Sequence, residues 1–224
     1  MAGFYFWLYG NPLPNAPYTS VGITRLFSLD ILLKQGLLGL LLDQEAGLFI
    51  YAPYYLFFIP GLIWLWRRRS QQAFWLSLAI LSIYLPCGGF TMKWRGAWSP
   101  AARYMVALIP FLLIPLGVCL KHLTRPLARY VFFFLTVCSF LWSALFLRTP
   151  TAAIMSRGGI NGVFETASGV ADVTSYFPLF TGSSLENPVV TGMWLLIITV
   201  FAIYIYRSLS QPGVSNLDLT VGIG

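Results

Sequence analysis

Long apolar runs separated by short polar breaks dominate the chain, and their lengths predict membrane-crossing helices. The first complete run is Gly47 to Trp66, about 20 residues, the length a helix needs to cross the hydrocarbon. Four more follow: Ala73–Phe90, Tyr104–Leu120, Tyr130–Leu147 and Pro188–Tyr206. No Asp, Glu, Lys or Arg lies in the interior of any of them. From Ile23 to Leu42 the apolar pattern is broken by Arg25, Asp30 and Lys34, which predicts a helix lying in the membrane plane with its charges in water. The predicted fold is therefore an all-α membrane protein, a multi-spanning transmembrane helix bundle with an interfacial helix.

The breaks organise the chain. Met1 to Tyr9 is apolar and aromatic but too short to span, and reads as the last turns of a membrane helix, so the chain is expected to be a fragment or to start late. Gly10 to Tyr18 carries three prolines and two asparagines and is expected to be a loop. Residues 1–46 thus comprise a helix end, an external loop and the interfacial helix. Residues 47–147 hold four spans with a Trp/Arg loop at 91–103, residues 148–187 form a long polar loop, and residues 188–224 supply the last span and a polar tail. Pro53, Pro60, Pro86, Pro110 and Pro115 fall inside predicted spans, where kinks are expected.

Composition agrees with the pattern. Hydrophobic residues make up 58% of the 224 and charged residues 9%, against about a quarter charged in soluble domains. A mean hydropathy of +0.74 leaves too little polar surface for a water-soluble globule. The net charge of +7 is scattered over short loops, which fits membrane topology and not a nucleic-acid partner. Arg67, Arg68, Arg69, Lys121, Arg125, Arg129 and Arg207 lie on one side of the predicted membrane, packed into two tight turns and a tail. The other side carries as many cations, more widely spread, so density places the first set in the cytoplasm. The location expected is the inner (plasma) membrane, with membrane lipids as partners. Cys87, Cys119 and Cys138 sit in apolar runs without metal spacing, and no metal site is expected.

The chemistry to weigh is concentrated in Met92 to Tyr104. Lys93, Arg95 and Arg103 surround Trp94 and Trp98 at a helix–water boundary. Arginine presents a planar fork that matches a pair of phosphate oxygens, and tryptophan stacks on a sugar or prenyl chain. The alternative for the same residues is an aromatic belt with ordinary loop cations. Asp43 and Glu45 precede the first full span at the depth of a membrane-surface reaction, and Asp43 is a candidate for substrate binding. Asp30, Glu165, Asp172 and Glu186 are further external carboxylates, each also readable as a loop charge or helix cap. His122, the single histidine, lies on a basic turn suited to solvent or lipid headgroups, so no catalytic residue is named.

The segment Trp94-Arg95-Gly96-Ala97-Trp98-Ser99-Pro100-Ala101-Ala102-Arg103-Tyr104 resembles the W-x-G-G-x-S-x-G-x-R-Y stretch of bacterial GT-C-type glycosyltransferases. Trp94, Gly96, Ser99, Arg103 and Tyr104 match, while Ala97 and Ala101 replace glycines. Tyr9 to Pro14 is similar to that family's Y-G-x-P-x-P stretch, and Gly36 to Pro60 to its G-L-L-G-L-L-x-D-x-x-x-G-L-x-x-Y-x-P run. The resemblance implies the C-terminal membrane part of an enzyme that moves a sugar from a polyprenyl-phosphate carrier to a glycan, lipid or protein acceptor outside the cytoplasm. It implies a lipid-linked sugar as donor, no evident cofactor, and Arg103, Arg95, Lys93, Trp94, Trp98, Ser99, Tyr104 and Asp43 as substrate-binding residues. The family's catalytic acidic loop follows its first membrane helix, and nothing before Tyr9 supplies one. A non-catalytic membrane assembly subunit or a transporter component is the alternative; the absence of ionisable residues inside the spans counts against ion-coupled transport.

Overall fold

The computed structural model describes residues 6–8, 10, 27–45, 47–89, 103–148, 156–157, 160–161, 174–180 and 187–209. These are mostly helical. Ser28 caps α1 (Leu29–Ile31), its hydroxyl accepting from the Ile31 N–H at 3.4 Å. A π-helical turn, Leu32–Gly36, carries the same axis into α2 (Leu37–Leu42). Lys34 and Asp30 pair at 2.7 Å on its exposed side, in keeping with a helix whose charges face water. Such a pair contributes about 0.3–0.5 kcal/mol.

The predicted span Gly47–Trp66 is not one helix. It begins as α3 (Leu48–Tyr51), breaks, passes through a 3-10 turn (Pro53–Phe57) and resumes as α4 (Phe58–Arg68). Proline explains the break. Pro53 has no N–H to continue the ladder and disfavours helical backbone at Ala52, which sits at φ −135°, ψ 64°. The turn drives Phe57, fully buried, edge-on against Phe132 and Phe201, each 5.2 Å between ring centroids.

Arg69, at φ −144°, ψ 64°, is a one-residue joint between α4 and α5 (Ser70–Gly88). Trp66 Nε1 donates to Ser77 Oγ at 3.2 Å across that joint. The expected span 104–120 begins as a 3-10 turn (Arg103–Leu108) and is α-helical as α6 (Ile109–Lys121). Then come α7 (Pro126–Arg148) and α8 (Pro188–Leu209). Helices α4 and α6 are the most closely packed pair, since a Cβ on Gly61 would stand 1.9 Å from the Pro115 carbonyl oxygen, and they run parallel, Gly61 meeting Pro115 and Trp64 meeting His122. Gly36 and Gly88 make a second close crossing, of the π turn on the last residue of α5. Between Arg148 and Asn187 the described pieces are a two-residue antiparallel pair, Ser156–Arg157 with Ile160–Asn161, and a segment at 174–180.

Two helices, α7 and α8, are long and apolar enough to cross a membrane. The other predicted spans fall short of that measure. One is broken at Ala52–Pro53, one opens on Ser70, Gln71 and Gln72, and one has only 13 α-helical residues. Neither α7 nor α8 is mostly buried. Phe140 is 73% exposed and Leu147 84%, and Phe133, Phe134, Leu196, Ile197 and Val200 are also exposed. The hydroxyls of Thr136, Ser139, Ser143, Thr199 and Ser208 each donate to the carbonyl four residues earlier in their own helix, a pairing that needs no water.

Substituting Gly61 by Ala should lower stability by about 1–3 kcal/mol, since backbone must move to admit a methyl group. Gly117 has nothing within 4 Å of its would-be Cβ, so Gly117→Ala should stay within about 1 kcal/mol of the wild type. Denaturation midpoints of the detergent-solubilised proteins measure both. Equal midpoints for the two variants would remove the Gly61–Pro115 approach from any role in holding the bundle.

Candidate functional site

The alternation of helix directions sorts the chain into two ends. Arg68, Lys121, the α6–α7 turn and the end of α8 lie together, joined where Thr124 Oγ1 donates to the Ser208 carbonyl at 2.8 Å. The opposite end gathers the α1–α2 run, the C-terminus of α5, the start of the 3-10 turn at Arg103, and the 174–180 segment. Ser28 N–H donates to the Gly89 carbonyl there at 2.8 Å.

Asp43 organises that end. It is the C-cap residue of α2 and fully buried. Its Oδ1 accepts from the Glu45 N–H at 2.8 Å and its Oδ2 from the Phe180 N–H at 2.9 Å, 137 positions later in the chain. The Gln44 N–H donates to the Pro178 carbonyl at 3.0 Å, so two residues of one turn hold one strap of the long loop. The Tyr51 hydroxyl donates to the Gln44 carbonyl. Gly47 closes the turn with its N–H 2.6 Å from the Asp43 carbonyl, where a Cβ would stand 2.6 Å from Asp43 backbone. The requirement for glycine here is steric.

Aromatic rings surround this polar knot. Tyr51 packs against Trp142 at 5.7 Å and Phe146 at 5.2 Å. Phe177 stacks on Trp194 at 5.4 Å, and Trp194 Nε1 donates to the Tyr176 carbonyl at 2.9 Å. The strap is thus pinned to α2, to α8 and, through Tyr51, to α7. Gln44 is 2% exposed, and its Oε1 has no hydrogen-bond partner among the described residues.

Asp43 is therefore not a solvated loop charge: burial and two backbone donors make its carboxylate a cross-link between α2 and the strap. Glu45, half-buried beside it, is the more accessible carboxylate. Asp30 is exposed and paired with Lys34. Lys93, Trp94, Arg95, Trp98 and Ser99 lie outside the described residues, as do Glu165, Asp172 and Glu186. Arg103 and Tyr104 begin a 3-10 turn, with their side chains outside the description. The expected loop Gly10–Tyr18 is described only at Gly10, whose φ of +67° suits glycine. His122 is not simply solvated: its ring stacks on Trp64 at 4.2 Å. Sequence reasoning missed the strap, although the run Tyr176-Phe177-Pro178-Leu179-Phe180 inside a polar loop was a signal for it. Among the described residues no group of three or more His, Cys, Asp or Glu is placed to hold a metal ion.

No protein-family model, no curated protein and no solved structure matches the chain.

Asp43→Asn should release the strap, because an amide presents an NH2 to one of two backbone donors that now meet a carboxylate oxygen. The cost is about 1–3 kcal/mol. Hydrogen exchange reads it directly: the Phe180 and Gln44 amides should exchange faster in the variant while amides in α6 keep their protection. Unchanged exchange at Phe180 would refute the cross-link.

Proposed function

We propose that the chain is the membrane part of a GT-C-type glycosyltransferase, moving a sugar from a polyprenyl-phosphate carrier to an acceptor on the non-cytoplasmic face of the inner membrane. On this reading the five apolar helical segments form one multi-spanning bundle, with α4, α5 and α6 completing what α7 and α8 begin. Exposed apolar faces and self-bonded hydroxyls on α7 and α8 support lipid as their surroundings. Arg68, Lys121 and Arg207 then mark the cytoplasmic side, and the α1–α2 run lies at the outer interface.

One observation supports the enzyme reading: the position of the described residues that flank the Trp/Arg stretch. The joints on either side of the Lys93–Ser99 stretch, Gly89 and Arg103, stand at the same end as the Asp43 turn. Residues 90–102 between those joints lie outside the described residues. Arg103 and Arg95 would grip the carrier phosphate as a fork grips an oxygen pair, and Lys93 would add a point charge. Trp94, Trp98 and Tyr104 would supply ring faces for sugar or prenyl chain, with Ser99 as a hydroxyl partner. Asp43 would serve this site through the strap that it fixes.

Photo-cross-linking to a polyprenyl phosphate in lipid nanodiscs tests the assignment without requiring turnover. Arg103→Ala and Arg95→Ala should each weaken capture about tenfold, the loss of one charge-assisted contact, while Arg207→Ala at the far end should not. Capture unaffected by both loop substitutions would leave a non-catalytic membrane subunit as the better reading.

A further inference from the structure

The opposite end of the bundle carries a separate cluster. The contacts of Gly61 with Pro115 and of Trp64 with His122 fix the register of the parallel helices α4 and α6. Two turns further on, that register brings Arg68 of α4 beside Lys121 and His122 at the end of α6. His122 is held there by its stack on Trp64, 4.2 Å between centroids and 22° between planes. Arg69 and Arg125 stand on the adjoining turns. Two nearby cations have partners of their own. Arg129 donates through Nε and Nη2 to the Leu123 carbonyl, and Arg67 lies over the Tyr206 ring at 4.9 Å.

No carboxylate among the described residues stands beside this positive charge. Among the described residues the carboxylates are Asp30, Asp43 and Glu45, all at the other end. The ion pair of Lys34 with Asp30 is also there. Helix dipoles offset little of it: at this end the C-termini of α4, α6 and α8 contribute about −0.5 each and the N-termini of α5 and α7 about +0.5 each, about −0.5 in all. Against that stand the four formal positive charges of Arg68, Arg69, Lys121 and Arg125. The remainder is an anion site in search of an anion.

We propose that Arg68, Lys121 and His122 bind the phosphate of an anionic membrane phospholipid. The fork of Arg68 and the ammonium of Lys121 suit a phosphodiester, and both side chains are exposed. Ile114, 53% exposed and seven residues before Lys121 on the same face of α6, offers apolar surface below the cations for an acyl chain. Trp64, Trp66 and Tyr206 belong to the depth at which tryptophan and tyrosine meet headgroups. A lipid phosphate arrives at that depth already tethered, whereas a free phosphate lacks the acyl chain. The inference rests on membrane embedding of the bundle and is independent of sugar transfer at the other end.

His122 also reports on the site. Its imidazole is held below the ordinary histidine pKa, first by burial and then by the charges of Lys121 and Arg68. A phosphate between those cations would oppose their field and raise the midpoint.

Because the chain has a single histidine, isotope-labelled imidazole gives one NMR titration from the whole protein. In nanodiscs of phosphatidylcholine alone the midpoint should lie below the free value. Phosphatidylglycerol should raise it by about one unit, the effect of an anion drawn into contact. In Arg68→Gln/Lys121→Gln that lipid-dependent rise should be lost, and Arg68→Lys/Lys121→Arg should restore most of it. Inorganic phosphate added to phosphatidylcholine discs at matched ionic strength should not reproduce the rise. Three results would overturn the proposal: no rise with phosphatidylglycerol, an equal rise in the Gln variant (surface potential alone), or an equal rise with inorganic phosphate.

Discussion

The missing side chain at Gly61 is the constraint on which most of the bundle depends. Backbone meets backbone there, with the Pro115 carbonyl where a Cβ would otherwise sit. Proline suits the other side of the contact because it fixes its own φ and still presents a carbonyl. The close approach holds α4 against α6 and directs Leu112, Leu116 and Cys119 into a core that Ile59 and Trp64 of α4 pack against. It also sets the register that stacks Trp64 on His122. In lipid, apolar side chains gain little by leaving one hydrocarbon for another, so close contact between small residues carries more of the association than it does in water. The Gly36–Gly88 crossing applies the same device at the other end, where it seats the π turn on α5.

The end holding Asp43 is governed by a different interaction. A buried carboxylate is costly unless each oxygen finds a donor. Asp43 meets that demand with the N–H groups of Glu45 and Phe180. The satisfaction is mutual, because Phe180 lies in a loop strap whose N–H would otherwise be buried without an acceptor. Apolar packing then reinforces the pairing: Phe180 itself is 1% exposed and joins the main core cluster. The strap is held by polar and apolar contacts in series.

Much of the helical architecture was legible in the chain because apolar run length and proline position are local signals. The boundaries of α7 and α8 lie within a few residues of the predicted spans 130–147 and 188–206. The break after Tyr51 was less visible. Pro53 was recognised as a kink, yet the pattern of apolar residues runs straight through it, and hydropathy cannot distinguish one long helix from two short ones. Burial of Asp43 was hidden for another reason. Its second donor is 137 positions away, and no periodicity links Asp43 to Phe180. The close contact at Gly61 was equally silent, since glycine in an apolar run reads as one more small residue.

The break at Ala52–Pro53 is tolerable because of where it falls. Irregular backbone at membrane depth survives only where protein, and not lipid, surrounds it. Ile50, Tyr51, Tyr55, Leu56 and Phe57 on either side of the joint are all buried, and the Tyr55 N–H finds the Ala52 carbonyl at 3.1 Å. The rings of Phe132 and Phe201 close over Phe57 from α7 and α8. Those two helices are long, apolar and mostly unburied, as shielding a broken element from lipid would require. The break in turn separates two short helices with different tasks. Helix α3 is tied through Tyr51 to the Asp43 turn and the strap, whereas α4 is tied through Gly61 to α6 and the basic end. Within this segment no single helix joins the knot to the cation cluster, so α3 answers to the one and α4 to the other, while α7 and α8 run unbroken between both ends.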